Sequence, residues 1–438
     1  MAFVHKQSCE GVKSELDLFT VPPTQTSIID SHVVEHQPMS SLDSGGPIEF
    51  LIPGSGDDYM DVAATMLHVQ AKITNADGSD LDDAAPVGPV NNWLHSLFQS
   101  GRRHLNGTLV TPSTNTYPYR AYIETLLSYG NDAKETQLTS QMWYKDTSDR
   151  MEAVGVVAGN ASNAGFVARR ARTVGSRVVD MMGRIHADFF LQDKFLINGV
   201  DMKIRMVRSK DAFALMAGGD NTGYKIKIVN AALFVKKVTL NPAVQMAHIK
   251  TLEKSTAKYP MRPVHCKVFS IPAGTRSYTH ENLFLGALPK RLVVCCIDND
   301  AFNGSLAKNP FNAKNKHINF FAVYADGRQI PTKPFQPRFA SDLFVRSYHS
   351  LFTSTGKVWQ DEGNGLTLKD FRHGYTFFGL DLTPDGCDDC SFHLVEKSNL
   401  RMEIHFSEAL LNTVDIVVYA EFEAVLEIDK NRNVIFEH

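Results

Sequence analysis

Short runs in which every second residue is apolar recur from residue 47 to the C-terminus. Met66–Thr74 (MLHVQAKIT) nearly alternates and is closed by Asn75-Ala76-Asp77-Gly78. Met202–Val207, Tyr224–Val229 and Val414–Val418 also read as strands, and a period of two marks a strand with one buried face. Asn106-Gly107, Asn198-Gly199, Asn303-Gly304 and Asp326-Gly327 supply the positive-φ residues that tight hairpins require. Helical pattern is confined to Tyr119–Ser128 and Asp342–Phe352. Residues 1–46 are polar and irregular, with Pro22-Pro23, Pro38 and the run Ser40–Gly46; Ile28, Ile29, Val33 and Val34 are its expected apolar contacts. They predict an N-terminal arm ordered by packing on something else. The remainder predicts a predominantly β chain.

The pattern repeats along the chain. Phe50-x-Ile52-Pro53 has a counterpart in Phe269-x-Ile271-Pro272, and Asp77-Gly78-Ser79 in Asn303-Gly304-Ser305. Asn106-Gly107 answers to Asp326-Gly327, each followed shortly by a proline, Pro112 or Pro331. Arg120, Tyr122, Leu126, Ser128 and Gly130 recur at one constant spacing as Arg346, Tyr348, Phe352, Ser354 and Gly356. Val200-x-Met202-x-Ile204 matches Leu400-x-Met402-x-Ile404. Matches in one order along both halves predict a duplicated unit. The division is an arm over 1–46, one unit over 47–240, a connector over 241–264 and a second unit over 265–438. An all-β unit of this size, with several hairpins and one helical excursion, fits a jelly roll, an eight-stranded sandwich of two Greek keys. The expected fold is therefore all-β: a tandem double jelly roll of two eight-stranded barrels, with short helical excursions and an N-terminal arm.

Composition narrows the function classes. At 438 residues the chain exceeds one ordinary core. With 43% hydrophobic and 21% charged residues it reads as a soluble globular protein. Lys and Arg number 45 against 48 Asp and Glu, a net charge of −3. That balance argues against a surface built to clamp nucleic acid and leaves room for a local basic patch. The longest apolar runs, such as Leu292–Ile297, fall far short of the roughly 20 residues of a membrane helix. Met1–Glu10 has no apolar core of the signal-peptide kind. Six cysteines, two of them adjacent at Cys295–Cys296, predict buried thiols in a reducing compartment.

Candidate chemistry is sparse. Cys387-Asp388-Asp389-Cys390, with His393 beyond, has the spacing of half a zinc site, and a structural site needs a second such pair. His186-Ala187-Asp188 could open a two-His-one-carboxylate triad for Fe(II) if His248 or His265 closed it. Phe352–Lys357 lacks the first glycine and the final Ser/Thr of a phosphate loop. Arg169, Arg170, Arg172, Arg177 and Arg184 follow the loop Gly155–Gly165, and Lys308, Lys314 and Lys316 flank Asn309-Pro310-Phe311. Both clusters read as solvated loop charge, or as contacts to acidic neighbours or DNA. No catalytic, metal or cofactor residue is assigned, and the chain is expected not to be an enzyme.

Three stretches, Leu109–Tyr119 (LVTPSTNTYPY), Phe189–Gly199 (FFLQDKFLING) and Val418–Phe422 (VYAEF), resemble the major capsid proteins of Polinton (Maverick) elements and adintoviruses. The resemblance covers most of the chain beyond residue 45. It implies a double jelly-roll capsid protein whose trimers form pseudo-hexameric capsomers of an icosahedral shell around double-stranded DNA. Its partners would be two further copies, neighbouring capsomers, penton and minor capsid proteins and, weakly, the packaged DNA. It would be made in the host cytoplasm and end in the virion. The family brings no catalytic motif. The alternatives are a jelly-roll oxygenase built on His186 and Asp188, and a β-sandwich glycan-binding module. Deleting residues 1–45 is expected to leave the barrels folded and impair assembly.

Overall fold

Alternation builds the sheets as the sequence predicts. In the strand Tyr59–Thr74, Leu67, Val69, Ala71 and Ile73 are fully buried while Met66, His68, Gln70 and Lys72 are half-exposed, so one face forms core and the other does not. The computed structural model describes residues 5–42, 45–54, 56–111, 114–155, 162–218, 223–384, 386 and 391–436.

The first half holds β1 (Ile28–His36), β2 (Ile48–Ile52), β3 (Tyr59–Thr74), β4 (Val87–Pro89), β5 (Phe98–Leu105), β6 (Thr108–Thr111), β7 (Val179–Arg184), β8 (Met202–Arg208), β9 (Leu215–Ala217) and β10 (Lys225–Leu240). After the connecting strand β11 (Ala257–Met261), the second half holds β12 (Val264–Ile271), β13 (Ser277–His280), β14 (Arg291–Asp298), β15 (Ile318–Ala325), β16 (Arg328–Phe335), β17 (Phe378–Asp381), β18 (Leu400–Phe406) and β19 (Val414–Glu421). The chain ends with β20 (Ala424–Ile428) and β21 (Val434–Ile435).

Sheet order is β1-β10-β3-β7 facing β2-β8-β5-β6 in the first half, and β12-β19-β14-β17 facing β13-β18-β15-β16 in the second. Numbered within each half, with the short β4–β9 ribbon left out, both read 1-8-3-6 and 2-7-4-5. All these pairings are antiparallel. Two eight-stranded sandwiches with one shared strand order are a double jelly roll. Each sandwich has its own core, around Phe50, Leu67, Phe98, Ile204 and Leu233 in the first. Phe321, Phe378, Met402, Ile404 and Val418 centre the second.

Three sequence expectations are corrected. Residues 28–36, placed in the arm, form β1, which pairs with β10 from Ile28↔Leu240 to His36↔Leu233. As an edge strand it has one hydrogen-bonded side and little burial, so its sequence reads as polar. A deletion ending at residue 45 would strip this edge, whereas residues 5–27 are exposed throughout. The connector is structured, with the helix Pro242–Leu252 and β11. The chain end does not stay with the second sandwich. β20 pairs with β11 and β21, and Tyr259, Met261, Leu426, Ile428 and Val434 pack into the first core.

This C-terminal strap is fastened by Arg432. Its Nε donates to the Asn198 carbonyl at 2.7 Å and its Nη2 lies 2.9 Å from Asn198 Oδ1, while Asn106 Nδ2 donates to the Arg432 carbonyl at 2.9 Å. Arg432→Ala is expected to lower stability by about 1–2 kcal/mol. Faster proteolysis of the strap than of the sandwiches is the readout.

Candidate functional site: the seam between the sandwiches

The helix Tyr117–Ser128 lies between the two sandwiches. Pro118 suits its first turn, where the backbone N–H would lack an intrahelical partner. Every residue from Tyr117 to Leu127 is buried, the signature of a helix with neighbours on all sides. One neighbour is the outer face of the sheet β12-β19-β14-β17. Val293, Cys295, Val417 and Tyr419 point into the seam, and Val294, Cys296, Ile416 and Val418 point into the second core. Burial on both faces explains the apolar runs Leu292–Ile297 in β14 and Ile416–Ala420 in β19. It also puts Cys295 and Cys296 on opposite faces, where burial raises both thiols, Cys296 to about 12. Neither is a reactive cysteine.

Aromatic rings fill the seam. Tyr122 stacks on Phe311 with centroids 4.2 Å apart and planes 3° from parallel, and Trp143 packs on Tyr122 at 5.2 Å. Among them sits a charged centre. Asp146 Oδ1 accepts from Arg169 Nη2 at 2.6 Å and from Asn163 at 2.8 Å, and its Oδ2 accepts from Asn309 at 2.9 Å. The Tyr375 hydroxyl donates to the Asp146 carbonyl at 2.7 Å. Asn309 and Tyr375 belong to the second half, so one carboxylate with its own backbone joins both. Lys145 adds a bridge to Asp370 at 2.6 Å. Lys134 donates to the Leu126 and Asn364 carbonyls, each at 2.6 Å, and burial pushes its ammonium down to about 7.

A second polar group holds β12. Arg120 Nε donates to Glu124 at 2.8 Å and Nη2 lies 2.7 Å from Asp188 Oδ1, which also accepts from the Val264 N–H at 3.0 Å. Glu124 Oε2 is 2.6 Å from His186 Nδ1. Burial alone would raise the Glu124 carboxyl, but the Arg120 charge and His186 outweigh it and hold it at about 2. The Thr116 hydroxyl donates to the Cys266 carbonyl at 3.0 Å.

These contacts dispose of the iron triad. Asp188 is neutralised by Arg120, and His186 is bound to Glu124 and packed edge-on against His95 at 4.5 Å. His248 faces the Tyr59 hydroxyl at 3.0 Å, and the His265 ring packs on Phe422. Among the described residues no three His, Cys, Asp or Glu side chains are placed to hold a metal. Cys387 and Cys390 lie outside the described residues, as do 156–161 of the loop Gly155–Gly165; the backbone N–H of His393 donates to Glu423 at 2.8 Å.

The basic clusters are also reassigned. Arg169 Nε donates to the Pro89 carbonyl, Arg170 to those of Ala85 and Asp83, and Arg184 to that of Phe190. Three of the five arginines thus brace loops, while Arg172 and Arg177 remain exposed. Lys308, Lys314 and Lys316 converge on Asp298, and Lys314 also reaches Glu152 of the first half at 2.8 Å. Asp146, Lys145 and Lys134 carry no sequence signal, because no local spacing marks a residue whose partners come from another part of the chain.

No family model matches the sequence. A Caenorhabditis elegans protein, "Uncharacterized protein F54H12.2", is 25% identical over 429 residues, covering 95% of this chain and 99% of that one. Among solved structures, the chain is similar to the Sputnik virophage structure (TM-score 0.68, 12% identity, 100% of this chain and 94% of that one). It is also similar to the Faustovirus major capsid protein (0.58, 11%, 94% and 92%) and the mavirus major capsid protein (0.56, 12%, 100% and 97%). At such low identities the shared property is the fold. The fold that this chain shares with them is the double jelly roll.

Proposed function

We propose that this chain is the major capsid subunit of an icosahedral shell, with a structural and not a catalytic role. The observation that carries the reading is the seam: two sandwiches of one strand order, joined side by side by a buried core and by Asp146, Lys145 and Arg120. Three such rigid pairs present six similar lobes, so a homotrimer fills a hexagonal position without six conformations of one chain. Full-length likeness to virophage and large-virus capsid proteins supports the same reading. The blocks Leu109–Tyr119 and Phe189–Gly199 favour a Polinton or adintovirus origin, hence a double-stranded DNA element and a virion location after synthesis in the host cytoplasm.

In this reading the chain divides into an arm ahead of residue 28, a first sandwich from 28 to 240, a connector, a second sandwich from 264 to 421 and the strap. Neighbouring capsomers, penton and minor capsid proteins are its further partners. Contact with packaged DNA would fall to Arg172 and Arg177, since the other arginines of that cluster are committed within the chain. Purified protein is expected to sediment as a trimer and to yield capsid-like particles by electron microscopy. A strictly monomeric protein under every assembly condition would overturn the proposal.

A further inference from the structure

We infer that the arm segment Glu15–Val21 docks in trans, into an apolar groove at the base of the first sandwich of a second copy. The groove holds about 610 Å³ between the helix Pro242–Leu252 and the strand ends, with Tyr59, Phe195, Leu240, Val244, Leu252 and Tyr259 in its lining. That volume falls in the ~300–1,000 Å³ range of pockets that bury a ligand.

The arm carries what the groove lacks. Leu16, Leu18, Phe19 and Val21 are all exposed, Phe19 to 96%. An exposed Phe among three aliphatic residues is the composition of an interface anchor, not of a solvated tail. Charge agrees as well. Glu15 and Asp17 alternate with the leucines, and the groove carries Lys194 and Lys258 against one acid, Asp193.

The root of the arm decides between the chain's own groove and that of another copy. Ser27 and Ile28 line one side of the groove, so a fold-back would have to reverse within a few residues. Gln25 Oε1 accepts from the Ile28 N–H at 2.8 Å and Gln25 Nε2 donates to the Ile28 carbonyl at 3.0 Å. Asn241 ties down the Ser27 carbonyl at 2.9 Å and the Thr26 carbonyl at 3.3 Å. Val21 and Pro22 each precede a proline and are held extended, and Pro22 and Pro23 have φ fixed near about −65°. Little chain is left to turn back, and residues 5–27 are exposed throughout. The arm therefore leaves its own sandwich, and a second copy offers the same groove.

This inference needs the self-association that the capsid reading also needs, and the test separates the two. Full-length chain bearing p-benzoylphenylalanine in place of Phe19 is mixed as light and heavy-nitrogen forms, irradiated and mapped by mass spectrometry. Crosslinks from a light arm to heavy peptides spanning 193–197 or 240–259 are expected. Phe19→Asp is expected to weaken self-association by about tenfold or more without moving the denaturation midpoint, and Val12→Asp, outside the docking segment, to leave it unchanged. Trimers whose arm crosslinks only within one chain, elsewhere or not at all would overturn the docking and leave the capsid reading standing. A protein that does not self-associate would overturn both.

Discussion

Asp146→Ala is expected to cost about 3–5 kcal/mol of stability, the largest effect of any single substitution in the seam. The side chains of Asp146 and Arg169 are both fully buried, so the substitution leaves a guanidinium in the interior with no counter-charge. It also removes the acceptors of Asn163 and Asn309. An unpaired buried cation costs far more than a lost surface pair, because no water replaces the carboxylate. Guanidinium denaturation checks this through the transition midpoint. The slope is informative too: a lowered slope means that the sandwiches come apart in separate steps, as domains do when their interface fails. Replacing both partners, Asp146→Leu with Arg169→Met, should recover much of the loss, since no charge is then stranded. A single-variant loss below about 1 kcal/mol would show that Arg169 finds another anion and that Asp146 does not anchor the seam.

The duplication was legible because turn chemistry is local. Asn106-Gly107 and Asp326-Gly327 both adopt positive φ, and they close β5–β6 and β15–β16, the same hairpin in the two sandwiches. The Arg-x-Tyr repeat falls on the helices Tyr117–Ser128 and Val345–Ser354, and the Met-x-Ile repeat on β8 and β18, again equivalent positions. The match of Phe50-x-Ile52 to Phe269-x-Ile271 was misleading. It sets β2, second in its sandwich, against β12, first in its own, because alternation says that a residue faces a core and not which strand carries it. β1 carries little sequence signal for the converse reason: an edge strand has little to bury. The seam was least legible of all. Asp146 meets Asn309 and Tyr375 only after both halves have folded, so its role is written in no neighbouring residue.

The second large effect is loss of stability in mild acid, arising at His95. Its ring is fully buried beside the seam helix, with Nδ1 3.0 Å from the Tyr117 hydroxyl, Nε2 3.3 Å from Gln141 Oε1 and the His186 ring 4.5 Å away. Burial first, then the positive charge of His186 and of Arg103, holds its pKa well below the ordinary 6.5. Glu124 pairs with His186 and Arg120, and among the described residues no carboxylate is paired with His95 itself. Above pH 6.5 both folded and unfolded chains keep this imidazole neutral, and pH has no leverage through it. Below 6.5 the unfolded chain binds a proton that the folded chain refuses. Stability should then fall by about 1.4 kcal/mol for each pH unit, until pH reaches the depressed folded value. Glu124 adds a later loss in the same direction, as pH drops from 4.5 to about 2 and its ion pair with Arg120 is protonated away. Denaturation midpoints measured at about pH 7.5 and about pH 5.5 should differ more in the native chain than in His95→Gln, where only the smaller contributions of His36, His104, His280 and Lys134, all held low by burial, are left. An unchanged slope in that variant would assign the acid sensitivity to another group. Because His95 packs edge-on against His186, which is tied through Glu124 and Arg120 to Asp188 and the first residue of β12, acid should loosen the joint between the sandwiches before it melts either one.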